Sequence, residues 1–135
     1  FIFYISLIDA RYPAYKAVIP DQSVIDISLA KKRFKEVLSD AIICENATTN
    51  AAALRLQDGI LTFDACDIDL AKSYKSENID HQTAGCDDIT IGFNIKLMDQ
   101  ILNATDSENI KLAMTNPNRA SVINDNTLLM PTMIK

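Results

Sequence analysis

Four basic residues, Lys31, Lys32, Arg33 and Lys35, fall within five positions of a chain whose net charge is −5. Cationic side chains grouped this way can neutralise phosphates, and phosphate contacts hold nucleic acid without reading its sequence. The plain alternative is a solvated helix face. A second group, Asp64, Asp67 and Asp69, with Asp87 and Asp88 further on, offers the hard oxygen ligands that suit Mg2+ in metal-assisted hydrolysis. No spaced companion, such as a phosphate-binding glycine loop or an H-E-x-x-H, accompanies it, and acids at strand ends are ordinarily solvated turns. His81, the one histidine, and Cys86 could form a base and nucleophile on a loop, but no recognisable signature surrounds either. Binding is the better reading of these residues than catalysis.

The elements that must position them follow from composition and period. With 135 residues, 48% hydrophobic and 23% charged, the chain has the size and make-up of one globular domain. Its apolar runs fall far short of the roughly 20 residues that span a bilayer, and no secretory signal opens it. Phe1 is not an initiator methionine and strand-like residues begin at once, so the chain reads as a segment of something longer. An isoelectric point near 4.7 argues against a uniformly DNA-gripping surface, but the acids concentrate between Asp58 and Asp88, leaving room for a locally positive face. Cys44, Cys66 and Cys86 are an odd count without a C-x-x-C pair; buried thiols in a reducing cytoplasm suit them better than disulfides or zinc.

The spacing predicts strands at Phe1–Leu7 and Val24–Ile27, with a short extended stretch at Val18-Ile19-Pro20. Ser28 is the expected N-cap of a first helix, whose Phe34, Val37, Leu38, Ala41 and Ile42 recur at helical period. Lys31, Lys32 and Lys35 fall off that stripe, and cations in a first turn oppose the helix dipole. Beyond Asn46 the period becomes two. Leu54 and Leu56 precede the hairpin signal Asp58-Gly59, and Leu61, Phe63 and Ala65 follow it. A polar strand is expected near Asp69 to Ile79, then Ile89, Ile91 and Phe93. Asn94 caps a second helix bearing Ile95, Met98, Ile101 and Leu102. Strands through Ile110–Met114, Val122-Ile123 and Leu128–Met130 complete the chain. Each helix is followed by short strands joined by tight turns, which favours antiparallel sheet in two similar halves.

Four stretches in order carry a resemblance: Leu7-Ile8-Asp9-Ala10-Arg11-Tyr12-Pro13-Ala14-Tyr15-Lys16-Ala17-Val18-Ile19-Pro20, Ile91-Gly92-Phe93-Asn94, Asn116-Pro117-Asn118-Arg119-Ala120 and Leu128-Leu129-Met130-Pro131. Together they resemble the C-terminal, third domain of the bacterial sliding clamp, the beta subunit of DNA polymerase III, over nearly the whole chain. The resemblance implies an α+β DNA-clamp fold, with residues 1–135 forming a single domain of two helices on antiparallel sheets. It also implies a bacterial, cytoplasmic, non-catalytic processivity factor that needs no cofactor or metal. Three such domains make a crescent, and two crescents close as a homodimeric ring around duplex DNA.

Three surfaces are implied with it. Lys31, Lys32 and Lys35 would face the DNA. Pro13, Ala17, Val18, Asn118, Ala120, Leu128, Met130, Pro131 and Thr132 would form this domain's share of a pocket for linear motifs of polymerases, the clamp loader and repair proteins. Adaptable apolar side chains suit such an anchor; the alternative is that Leu128 and Met130 belong to the core, the reading preferred for Leu129. Ile42, Ile43 and Cys44, with the polar edge strand, would close the ring against a second subunit. Ala10, Ala17 and Thr132 depart from the commoner family residues, which bears on partner preference rather than on fold. An interaction module unrelated to replication would share the core but give the lysines no role.

Overall fold

The computed structural model describes residues 2–12, 14–20, 22–85 and 88–134. Alternation at period two builds β1 (Ile25–Ala30), which buries Ile25, Ile27 and Leu29 and runs without a loop into α1 (Lys31–Ile42). β2 (Ala51–Gln57) and β3 (Ile60–Asp67) form a hairpin. Its turn residues Asp58 and Gly59 take φ of 50° and 74°, the left-handed pair that a two-residue hairpin turn requires. β4 (Lys72–Lys75), β5 (His81–Gly85) and β6 (Ile89–Asn94) lead into α2 (Ile95–Ala104), followed by β7 (Asn109–Met114), β8 (Ser121–Ile123) and β9 (Thr127–Leu129).

Two antiparallel sheets result, in the orders β5-β1-β7-β8-β9 and β4-β3-β2-β6. A strand–helix–three-strand unit, β1-α1-β2-β3-β4, is echoed by β6-α2-β7-β8-β9. The first strand of each unit leaves its own sheet and pairs in the other: β1 lies against β7, with Ile25 opposite Met114, and β6 against β2, with Leu54 opposite Ile91. The expected pair of similar halves is therefore present, and the halves exchange strands. One apolar core serves both. Phe34 of α1 meets Phe63 of β3 edge to face, ring centres 5.7 Å apart, the geometry in which an electropositive ring edge meets an electron-rich face. Helix periodicity identified the buried stripes correctly: Phe34, Val37, Leu38 and Ala41 in α1, and Ile95, Met98 and Leu102 in α2.

Several local expectations are corrected. Residues 2–8 pair with no strand among the described residues and are exposed, because β-prone side chains do not make a strand without a partner ladder. Val18 to Pro20 follow a short 3-10 turn, Tyr15–Ala17. Ser28 does not cap α1. It sits inside β1, and the residue at the cap position is Ala30, which has no side-chain acceptor. The polar strand expected over residues 69–79 is only β4; beyond it Ser76 and Ile79 turn inward, with the Ser76 and Ile79 amides donating to the Phe63 and Leu61 carbonyls at 2.9 and 2.8 Å. The chain then crosses to the other sheet as β5. Cys66 is exposed on β3 and Cys44 half-buried, so these two are not core thiols; Cys86 lies outside the described residues.

Candidate docking and nucleic-acid surfaces

The two helices pack on each other in opposite sense, and their ends are tied reciprocally. Lys31, the first residue of α1, donates through Nζ to the carbonyl of Thr105, the C-cap of α2. Its backbone N–H donates to the Glu108 carbonyl at 2.9 Å. At the opposite ends, Lys96 near the start of α2 pairs at 2.9 Å with Glu45, just beyond α1. Lys31 stands where its own helix disfavours a cation, but it reaches the negative end of α2, where a cation is favoured. Among the described residues, no basic side chain from α2's own last turn serves that end. Of the three lysines expected on the DNA side, Lys31 thus has a structural partner. Lys32 is exposed and Lys35 half-buried, and neither has an ion pair among the described residues.

The residues expected to hold a peptide fall into three groups. Pro13 lies outside the described residues, while Ala17 and Val18 are exposed on and beside the 3-10 turn. Asn118 is exposed in the loop before β8, where its amide donates to the Asn116 side chain at 3.0 Å. Ala120 enters β8 buried, so its methyl contributes shape from beneath rather than open surface. Pairing of Ser121 with Leu129 brings the start of β8 beside the end of β9, which sets Ala120 and Met130 on adjoining strand ends. Leu128 is 37% exposed, Met130 54% and Leu129 only 4%. The alternation separates Leu128 from the core and commits Leu129 to it.

Leu128 also lines a cavity of about 670 Å3 between α2 and the β8–β9 turn, with Leu97, Ile101 and Ala104 as apolar walls and Asp106 and Asn126 at the polar end. Leu97 is 47% exposed and was not singled out from the sequence. Its signal was present: it is the apolar residue of α2 that lies off the Ile95, Met98, Ile101, Leu102 stripe. A large exposed leucine there has no core function, and such residues mark contact surfaces when they cluster.

The tail beyond β9 crosses from one sheet to the other. The Thr132 amide donates to the Gly92 carbonyl in β6 at 2.8 Å, and Pro131, Thr132 and Ile134 are half-buried. Ala53, the cross-strand partner of Gly92 on the outward side of its sheet, is 3% exposed, as befits a residue beneath a cover.

For the expected ring-closing surface, Ile42 packs partly on the core, Cys44 is half-buried and Ile43 is 70% exposed. The end of α1 is linked to edge strand β4 through Asp40 and Tyr74. Burial raises the Tyr74 phenol above its ordinary 10.0, and the neighbouring Asp40 carboxylate raises it further. Lys72, Ser73 and Lys75 are exposed along that edge.

The acids considered for metal chemistry are used otherwise. Asp64 receives Arg55 through two nitrogens, at 2.7 and 3.3 Å. Asp67 is buried and closes a turn, one oxygen accepting from the amides of Asp69 and Leu70 and from Asn46. Asp88 accepts from the Asp58 amide, and Asp87 lies outside the described residues. Among the described residues, no three His, Cys, Asp or Glu side chains are grouped to hold a metal ion, and no helix is long and apolar enough to cross a membrane. His81 sits at the start of β5, its Nδ1 2.7 Å from the Ile79 carbonyl.

The beta sliding clamp of Proteus mirabilis is 29% identical over 115 residues, 85% of this chain and 30% of the clamp. That of Vibrio cholerae is 24% identical over 123 residues, 91% of this chain and 33% of the clamp. This chain therefore spans about a third of the length of these relatives. The solved structure of the DNA polymerase III beta subunit from Thermotoga maritima superposes with a TM-score of 0.84 at 20% identity, covering 94% of this chain and 35% of that one, which establishes the shared fold. The family described as "DNA polymerase III beta subunit, C-terminal domain" matches residues 16–128, and this chain belongs to that family.

Proposed function

We propose that this chain is the third domain of a ring-shaped DNA polymerase processivity factor, which acts by encircling duplex DNA and docking partner proteins rather than by catalysis. The observation that carries this reading is family membership over residues 16–128, joined to a fold whose two helices pack on paired antiparallel sheets. A ring that slides must attract phosphates without pinning to base sequence. Lys32 and Lys35 on α1 supply that charge, with Lys31 bracing the helix pair from the same turn. The acidic remainder of the chain disfavours DNA on other faces.

Docking of linear motifs from polymerases, the clamp loader and repair proteins falls to the exposed apolar residues Val18, Leu128 and Met130, with Pro131, Thr132, Asn118 and the buried Ala120 as their frame. Ala17 extends the surface beside Val18, and Pro13, outside the described residues, is assigned to it on the family resemblance alone. Ile43, beside Ile42 and Cys44 at the end of α1, and the open edge of β4 suit closure against a second subunit. An unpaired strand edge invites a partner strand. The setting is the bacterial cytoplasm.

The test is titration of isotopically labelled protein with a clamp-binding peptide of the glutamine-then-hydrophobic kind, read by backbone amide NMR. Saturable shifts centred on Val18, Ala120, Leu128 and Met130 are expected. Silence at those amides at millimolar peptide, both here and with the preceding domain attached, would remove the docking assignment.

A further inference from the structure

Gly92 stands in the interior of β6 between two fully buried residues, Ile91 and Phe93. Glycine weakens a strand, because it has no side chain to pack and more backbone freedom to lose, so one in a strand interior commonly marks the close passage of another backbone. Its φ is not in the left-handed region, so conformation does not require it. Space does. A Cβ on residue 92 would lie 2.2 Å from the Thr132 carbonyl oxygen and 2.6 Å from a methyl of Ile134. The first contact is with backbone, which cannot swing aside as a flexible side chain would. The Gly92 carbonyl meanwhile accepts the Thr132 amide at 2.8 Å. The same residue thus anchors the tail and leaves the room in which it lies.

We propose that Gly92 is a positioning residue for the docking surface: by seating the tail at Thr132 it holds Met130 and Pro131 where a bound peptide meets them, without itself touching the peptide. Between Leu129, fixed in the core, and Thr132, fixed on Gly92, only Met130 and Pro131 intervene. Proline allows little freedom about its own φ, so both ends of this short span are held and the exposed Met130 is presented from a preset backbone. Such preorganisation raises affinity by reducing what must be ordered on binding. This inference rests on the docking reading above, and the experiment separates the two.

Four chains are compared: the wild type, Gly92→Ala, and a chain ended after Pro131, prepared with and without Gly92→Ala. Hydrogen exchange of the Thr132 amide and 15N relaxation of residues 132–134 report the seat without any ligand. In the wild type, Thr132 should be protected and the tail ordered; in Gly92→Ala both should be lost while the amides of Phe63 and Leu112 keep their shifts. Affinity for the glutamine-then-hydrophobic peptide should fall about tenfold in Gly92→Ala and about as far in the shortened chain, where adding Gly92→Ala changes nothing more. Should full-length Gly92→Ala not fold, the shortened pair still decides, because removing the tail must restore folding to the alanine variant. Retained Thr132 protection in Gly92→Ala, unchanged peptide affinity despite a released tail, or an effect of Gly92→Ala persisting in the shortened chain would each overturn the proposal. If the wild type binds no peptide while the tail responds as stated, the docking reading fails and the positioning role falls with it, leaving a seat that serves the fold alone.

Discussion

Lys31 of α1 and Thr105 of α2, 74 residues apart, are joined by a hydrogen bond from the lysine ammonium to the carbonyl that ends the second helix. A cation that is badly placed for one helix is well placed for its antiparallel neighbour. Replacing Lys31 with methionine retains the stem but removes this contact. It should lower stability by about 1 kcal/mol, the usual worth of a partly buried hydrogen bond reinforced by a helix terminus. Lys32→Ala, at an exposed position, should stay within about 0.5 kcal/mol. Urea unfolding of the two variants separates them; equal effects would mean that the contact contributes nothing.

Leu128 and Leu129 are neighbours with opposite commitments. Leu129→Ala empties a core position and should destabilise by about 2 kcal/mol or more, with peptide affinity affected only through folding. Leu128→Ser should leave the unfolding midpoint nearly unchanged and weaken peptide binding. Denaturation paired with peptide titration reads both, and a Leu128→Ser protein that binds as well as the wild type would take this residue out of the site.

Asn94 closes the first turn of α2, its side-chain oxygen accepting from the Leu97 amide at 3.1 Å. Asn94→Ala should cost about 1 kcal/mol, visible as a lowered melting temperature. Asn94→Asp or Asn94→Ser should recover most of it, because either oxygen can serve the same amide.

The raised phenol of Tyr74 carries a pH signature. Since the folded chain holds this proton more tightly than the unfolded one, stability is complete below the ordinary value of 10.0 and falls as pH rises from there through the raised folded value. Urea midpoints at pH 9 and pH 11 should therefore drop further for the wild type than for Tyr74→Phe. Parallel losses would show that the phenol does not couple to folding.

The sequence was most informative where one face of an element is dry and the other wet. Phe34 to Ala41 and Ile95 to Leu102 announce helices because the apolar stripe repeats with the turn, and Leu61, Phe63 and Ala65 announce a strand by alternation. β5 was missed because His81 to Gly85 stand at a sheet edge with both faces largely exposed, so no alternation is required of them. Ser28 looked like a cap because its residue type favours that role. Leu29, buried in the following position, shows that the strand continues instead. In the site, alternation put Leu128 and Leu129 on opposite faces, and the family resemblance, not the period, assigned Leu128 to the outward one. The second duty of Lys31 and the seat at Gly92 could not be read, since each depends on a segment distant in sequence crossing at one point. A lone glycine between Ile91 and Phe93 was the only local trace of that crossing.

The exchange of first strands between the two halves has a consequence for how the chain reaches its fold. Because β1 belongs to a sheet completed by β7, and β6 to one begun by β2, neither half holds a finished sheet of its own. Contacts of such long sequence separation raise contact order, and the loop-closure entropy they require slows folding into the millisecond-to-second range. Partial structures leave an apolar sheet edge bare until the far strand arrives. Two pieces divided between β5 and β6 would each be unstable, yet would carry complementary edges, so recombination of the fragments rather than independent folding is the behaviour this topology favours.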